Sequence, residues 1–133
     1  MLTSVTERRD DAVLVRSLMQ LHWSDRVERP LEDATIVDVT YGGGLFWVGN
    51  DLATKVIGCD SNRQRAKTIH CEYQHLPFRL ASVDILIFDP PHIPDIGRRR
   101  EKIMGEQYSI EWGKSSLEES LLAFLEQAAI VLR

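Results

Sequence analysis

Apolar residues near the start of the chain recur at helical spacing, with Val13, Leu14, Leu18, Met19 and Leu21 following a Ser4 and Glu7 capping box. A helix to about His22 is predicted. After Pro30, Glu32 and Asp33 the pattern changes to a β-branched run, Ala34 to Val39, of the kind that suits a buried parallel strand. Tyr41, Gly42, Gly43 and Gly44 then read as a tight turn, Leu45 to Leu52 as a short helix, and Lys55 to Cys59 as a second buried strand. Asn62 to Thr68 leaves room for about two helical turns before the short apolar stretch Ile69 to Tyr73, taken as a third strand. Val83 to Phe88 is the fourth, and Pro90, Pro91 and Pro94 forbid regular structure after it.

A loop is expected to about Lys114. Ser116 and Glu119 then form a second capping box, and Leu117, Leu121, Phe124, Leu125, Ala128 and Leu132 predict a helix to the last residue. Strands alternating with helices imply an α/β fold, a parallel sheet with helices on both faces and its loops gathered along one edge. Ligands of such sheets bind at that edge.

Composition narrows the class without choosing a function. A chain of 133 residues, 44% hydrophobic and 27% charged, fits one soluble domain. No run of eighteen apolar residues and no signal-peptide pattern occurs, so a cytoplasmic location with no membrane association is expected. Cys59 and Cys71, twelve positions apart, fit neither a disulfide framework nor zinc-ligand spacing. They are read as buried free thiols. The net charge of -4 argues against nonspecific wrapping of nucleic acid, although Arg98, Arg99, Arg100 and Lys102 form a local basic cluster.

Candidate chemistry gathers where strands end. Asp38 is followed by Gly42, Gly43 and Gly44, and glycines serve where a backbone takes positive φ and approaches a ligand with no Cβ in the way. Asp38 can accept hydrogen bonds from the loop amides or from a cationic ligand group. A nicotinamide fingerprint would place a third glycine where Trp47 stands, and no lysine followed by Ser or Thr follows the glycines as a P-loop requires. Asp60, 22 positions after Asp38, is placed to bind a ribose or to cap the helix expected near Asn62. At the end of the fourth strand stands Asp89-Pro90-Pro91-His92. Two prolines stiffen that backbone and leave its carbonyls free to accept. Asp89 and the Pro90 carbonyl could together take both hydrogens of an aryl amine.

Asp38 through Gly44, Asp60 and Asp89-Pro90-Pro91-His92 together resemble the class I S-adenosylmethionine-dependent methyltransferases, and more narrowly the DNA amino-methyltransferases. The resemblance covers roughly Thr35 to His92 and implies a Rossmann-like sheet. It implies S-adenosyl-L-methionine as cofactor, held by Asp38, Tyr41, Gly42, Gly43 and Gly44 at its aminoacyl part, by Asp60 at its ribose and by Glu72 at its adenine. It makes Asp89, Pro90, Pro91 and His92 the catalytic set, with His92 stacking on the target base in place of the usual tyrosine or phenylalanine. The implied substrate is an exocyclic amino group of a nucleic-acid base, adenine N6 or cytosine N4, in DNA in preference to RNA. A base in duplex DNA would have to leave the stack, which costs a few kcal/mol. The basic loop with Tyr108 and Trp112 could then grip phosphates. No metal is implied.

The resembled sheet has seven strands, and this chain stops at Ile130 to Arg133, where a fifth would begin. The expectation is therefore one partial catalytic domain over residues 1–133, its C-terminal strands missing, with the fourth strand at an open edge. Such an edge invites a partner chain or self-association. The alternatives are an RNA or protein-amide methyltransferase and a truncated, non-catalytic cofactor-binding module that needs a partner chain.

Overall fold

The computed structural model describes residues 11–90 and 117–133. Helix α1 (Asp11–Ser24) precedes strand β1 (Ile36–Asp38), β2 (Ile57–Asp60), β3 (Ile69–His70) and β4 (Ile85–Ile87), and helix α2 (Leu117–Val131) closes the chain. Short 3-10 turns occupy Leu31–Asp33 and Leu45–Trp47. The four strands form one sheet in the order β3-β2-β1-β4, all pairs parallel, so the protein is α/β.

The period-2 alternation of a strand distributes side chains to two cores. Ile36, Val56, Ile85 and Ile87 meet Met19 and Trp23 of α1 together with Trp47 and Leu52. Val37, Cys59, Val83 and Leu86 meet Phe124, Ala128 and Val131 of α2. The two helices therefore cover opposite faces, and the sheet is sandwiched, which is why its strands read as unbroken apolar runs. Phe88 extends the second core by stacking on Phe124 at 3.9 Å between centroids, with Tyr73 edge-on at 4.9 Å.

Several expected boundaries shift. The helix expected over Leu45 to Leu52 is only the 3-10 turn Leu45–Trp47, because Gly49 adopts φ +75 and the Asn50 side chain accepts the Leu52 N–H at 2.9 Å. The two turns expected over Asn62 to Thr68 reduce to one. Asn62 Oδ1 accepts the Gln64 N–H, and Thr68 already donates its N–H to Gly58 O. The third strand is two residues rather than five, although Cys71 N–H still reaches Asp60 O at 3.1 Å. Helix α2 ends at Val131, and Leu132 instead bridges Val83 in parallel. The start of the first helix at Ser4 and the cap at Ser116 lie outside the described residues.

Buried ends of the sheet are tied by charge. Asp84, its side chain 5% exposed, binds Arg29 at 2.6 Å and Arg133 at 3.4 Å through Oδ1 and takes the Thr35 N–H on Oδ2. No helix among the described residues is long and apolar enough to cross a membrane.

Candidate functional site

β1, β2 and β4 are adjacent and parallel, so their carboxyl ends bring Asp38, Asp60 and Asp89 to one edge. In register Asp38 lies opposite Gly58 on one side and Ile87 on the other. The alternation that sends Val37 and Cys59 into the α2 core turns Asp38 and Asp60 to the α1 side.

Asp38 is 1% exposed, and the turn it precedes satisfies its carboxylate. Oδ2 accepts the Trp47 indole N–H at 2.8 Å, and Oδ1 accepts the Thr40 N–H at 3.0 Å and the Thr40 hydroxyl at 3.4 Å. Burial pushes its pKa up, the hydrogen bonds from Trp47 and Thr40 oppose that, and the nearby Asp89 charge adds to the rise. Of the two uses the sequence leaves open for Asp38, the structure shows the first, organising the loop.

The glycine turn closes on Asp60. Gly42, at φ +55, donates its N–H to Asp60 Oδ2 at 2.8 Å, and Asn62 donates to Oδ1 at 2.8 Å. Among the described residues each oxygen takes one hydrogen bond, and the residue is 6% exposed. Gly44 sits at φ +70 and donates its N–H to Tyr41 O. A Cβ there would lie 2.6 Å from the Tyr41 hydroxyl oxygen, and a Cβ at Gly58 would lie 2.5 Å from the Tyr41 ring. Tyr41 thus lies flat in a slot that two glycines keep open, with Lys67 Nζ 6.0 Å from its ring centroid. Gly43 is exposed, with Arg65 alongside.

Asp89 is exposed and Pro90 buried. The Asp89 N–H donates to Thr40 Oγ1 at 2.8 Å, so one hydroxyl links the carboxyl ends of β1 and β4. Glu72 is exposed two residues past β3, at the same carboxyl edge of the sheet, with Oε2 3.9 Å from His75 Nδ1. Pro91 and His92 lie outside the described residues, as do Arg98, Arg99, Arg100, Lys102, Tyr108 and Trp112. No group of His, Cys, Asp and Glu among the described residues could hold a metal ion.

The structure brings together Asp38, Tyr41, Gly42, Gly44, Asp60, Asp89 and Pro90. It adds Thr40 and Trp47, which the motif pattern passes over. Their signal is weak, since a Thr two residues past the acid gains meaning only once the partner strand is known. Cys59 and Cys71 are both free, the first buried and the second half-buried. A thiol hydrogen bond between them raises the pKa of Cys59 and lowers that of Cys71. No protein-family model, curated protein or solved structure gives a significant match to this chain.

Proposed function

We propose that this chain is an S-adenosylmethionine-dependent methyltransferase that acts on an exocyclic amino group of a nucleic-acid base, adenine N6 or cytosine N4 in DNA. The observation that carries the reading is the convergence of the glycine turn, Asp60 and Asp89-Pro90 on one edge of a parallel sheet. A Rossmann-like sheet binds its ligand at that edge, and the strand order β3-β2-β1-β4 suits that fold.

The residues present fit the cofactor. Each Asp60 oxygen takes one hydrogen bond among the described residues, which leaves carboxylate capacity for the hydroxyls of a ribose, and the exposed Gly43 leaves backbone open to approach. Asp38 serves by fixing the turn through Thr40 and Trp47. Bound S-adenosylmethionine supplies an electrophilic methyl group. The chain supplies orientation: Asp89 and the Pro90 carbonyl accept the two amine hydrogens and draw the nitrogen lone pair out of the ring, and His92 stacks on the base. Holding the nucleophile in line at short range is worth several kcal/mol of barrier in general.

Transfer of a labelled methyl group to DNA, RNA and a peptide compared side by side tests the reading. DNA labelling that disappears in Asp89→Ala is expected. Labelling that persists unchanged in that variant sinks the amine-holding role, and labelling of RNA or peptide alone moves the substrate class.

One observation favours a second reading, a non-catalytic module. Asp38 and Asp60 are both engaged within the loop, and Tyr41 fills the slot between Gly44 and Gly58. Calorimetric titration with S-adenosylmethionine run beside the labelling assay separates the two, since a non-catalytic module transfers no label to DNA, RNA or peptide whether or not it binds the cofactor.

A further inference from the structure

Among the arginines of the described residues, Arg16, Arg29 and Arg65 are half-buried and the others exposed. Arg16 is paired with Glu32 and Asp51, and Arg29 with Asp84. The Arg65 guanidinium has neither a hydrogen bond nor an ion pair among the described residues. A cation drawn partly out of water is costly unless an anion meets it, so an anionic ligand group gains more here than at a fully solvated arginine.

The chain after β2 brings this guanidinium to the glycine turn. Asp60 Oδ1 accepts the Asn62 N–H at 2.8 Å, and the Asn62 carbonyl accepts the N–H groups of Arg65 and Ala66 at 2.9 and 3.0 Å. From that turn Arg65 reaches across the site, where its Nη1 lies 3.3 Å from the position a Cβ on Gly43 would take. Gly43 is exposed, and its own N–H has no acceptor among the described residues. Guanidinium and amide donors thus meet at the residue next to Gly42, whose N–H Asp60 holds. Lys67, close by in sequence, is committed elsewhere: its Nζ donates to the carbonyls of Ala53 and Val56 at 2.6 and 3.0 Å.

We propose that Arg65 and the Gly43 N–H form a carboxylate subsite that receives the aminoacyl end of S-adenosylmethionine. This rests on the methyltransferase reading and extends it to a residue outside the motifs. Asp38, Asp60 and Asp89, gathered at the same sheet edge, all repel an anion, which leaves Arg65 to attract one. In the cofactor a short flexible chain through the sulfur joins ribose to carboxylate, which suits a ribose on Asp60 and a carboxylate beside Gly43, the two sites being linked through Gly42. A guanidinium can meet both carboxylate oxygens in one plane, and such charge-assisted bonds are about twice as strong as neutral ones.

Calorimetric titration of the full chain tests this with two ligands. S-adenosylhomocysteine, the demethylated cofactor, carries the carboxylate, whereas methylthioadenosine keeps adenine, ribose and sulfur but lacks it. A duplex oligonucleotide is titrated alongside, and circular dichroism shows that each variant is folded. Wild type is expected to bind both nucleosides. Arg65→Gln should weaken S-adenosylhomocysteine about tenfold and leave methylthioadenosine unchanged, with Arg65→Lys in between because it keeps the charge without the planar fork. Equal losses for the two nucleosides, or no loss for either, overturn the subsite while the cofactor reading stands. A loss confined to the oligonucleotide also overturns it and assigns Arg65 to a phosphate. If wild type binds neither nucleoside, the cofactor reading itself falls and the subsite falls with it.

Discussion

Thr40 and Asp89 are 49 positions apart in the chain, yet the hydroxyl of the first accepts the backbone N–H of the second at 2.8 Å. The same hydroxyl reaches Asp38 at 3.4 Å, so the aspartate that organises the glycine turn and the aspartate assigned to the amine share a single side chain. Thr40→Val keeps the β-branched shape and removes both bonds. A fall in methyl transfer of about tenfold is expected, with S-adenosylmethionine affinity changed much less, because the displaced group is Asp89. Parallel turnover and calorimetry decide it, and equal losses in both would assign Thr40 to the cofactor side.

Trp47 gives Asp38 its only side-chain nitrogen donor among the described residues. Trp47→Phe leaves a buried carboxylate oxygen with no partner, at an expected cost of about 1–3 kcal/mol in denaturant unfolding. A loss below half of that range would mean that the indole contributes by packing alone.

The pH dependence follows from the same carboxyl. Asp38 titrates above its ordinary 3.8 in the folded chain, chiefly because it is buried, so the folded state holds the proton more tightly than the unfolded state does. Its contribution favours folding below about pH 4 and declines as pH rises through the folded-state value. Stability of wild type relative to Asp38→Asn should therefore fall over that window and then level off. A difference that grows with pH would contradict the direction.

Gly44 and Gly49 form a matched pair for separating strain from crowding. Both have positive φ, +70 and +75, but a Cβ at Gly44 meets the Tyr41 ring whereas one at Gly49 meets nothing within 4 Å. Gly49→Ala should cost about 1–2 kcal/mol from backbone conformation alone. Gly44→Ala should cost more and also displace Tyr41, which fluorescence of the ring can follow. Combining Gly44→Ala with Tyr41→Ala should recover part of the loss.

The sheet was legible because its strands are buried on both faces and so appear as short β-branched runs between glycine and proline signals. The same pattern gave no guide to length. Gly49 and Asn50 cut short a helix that apolar spacing alone extends to Leu52, and the Asn62 side chain does the same after β2. Asp38, Asp60 and Asp89 could be singled out because each stands at the end of an apolar run, and Gly42 because it opens a run of three glycines. Thr40 and Trp47 could not, because their roles depend on tertiary neighbours that spacing does not encode.

Phe88 stacks on Phe124, and the next residue is Asp89. The seat of Asp89 is thus completed by a helix whose aromatic contact lies 36 positions further along the chain. During synthesis, the glycine turn and Asp60 can find each other as soon as β2 has emerged. The carboxyl end of β4 gains its aromatic support only once α2 has been made, so a chain interrupted before α2 would carry the glycine turn and Asp60 without the packing that seats Asp89.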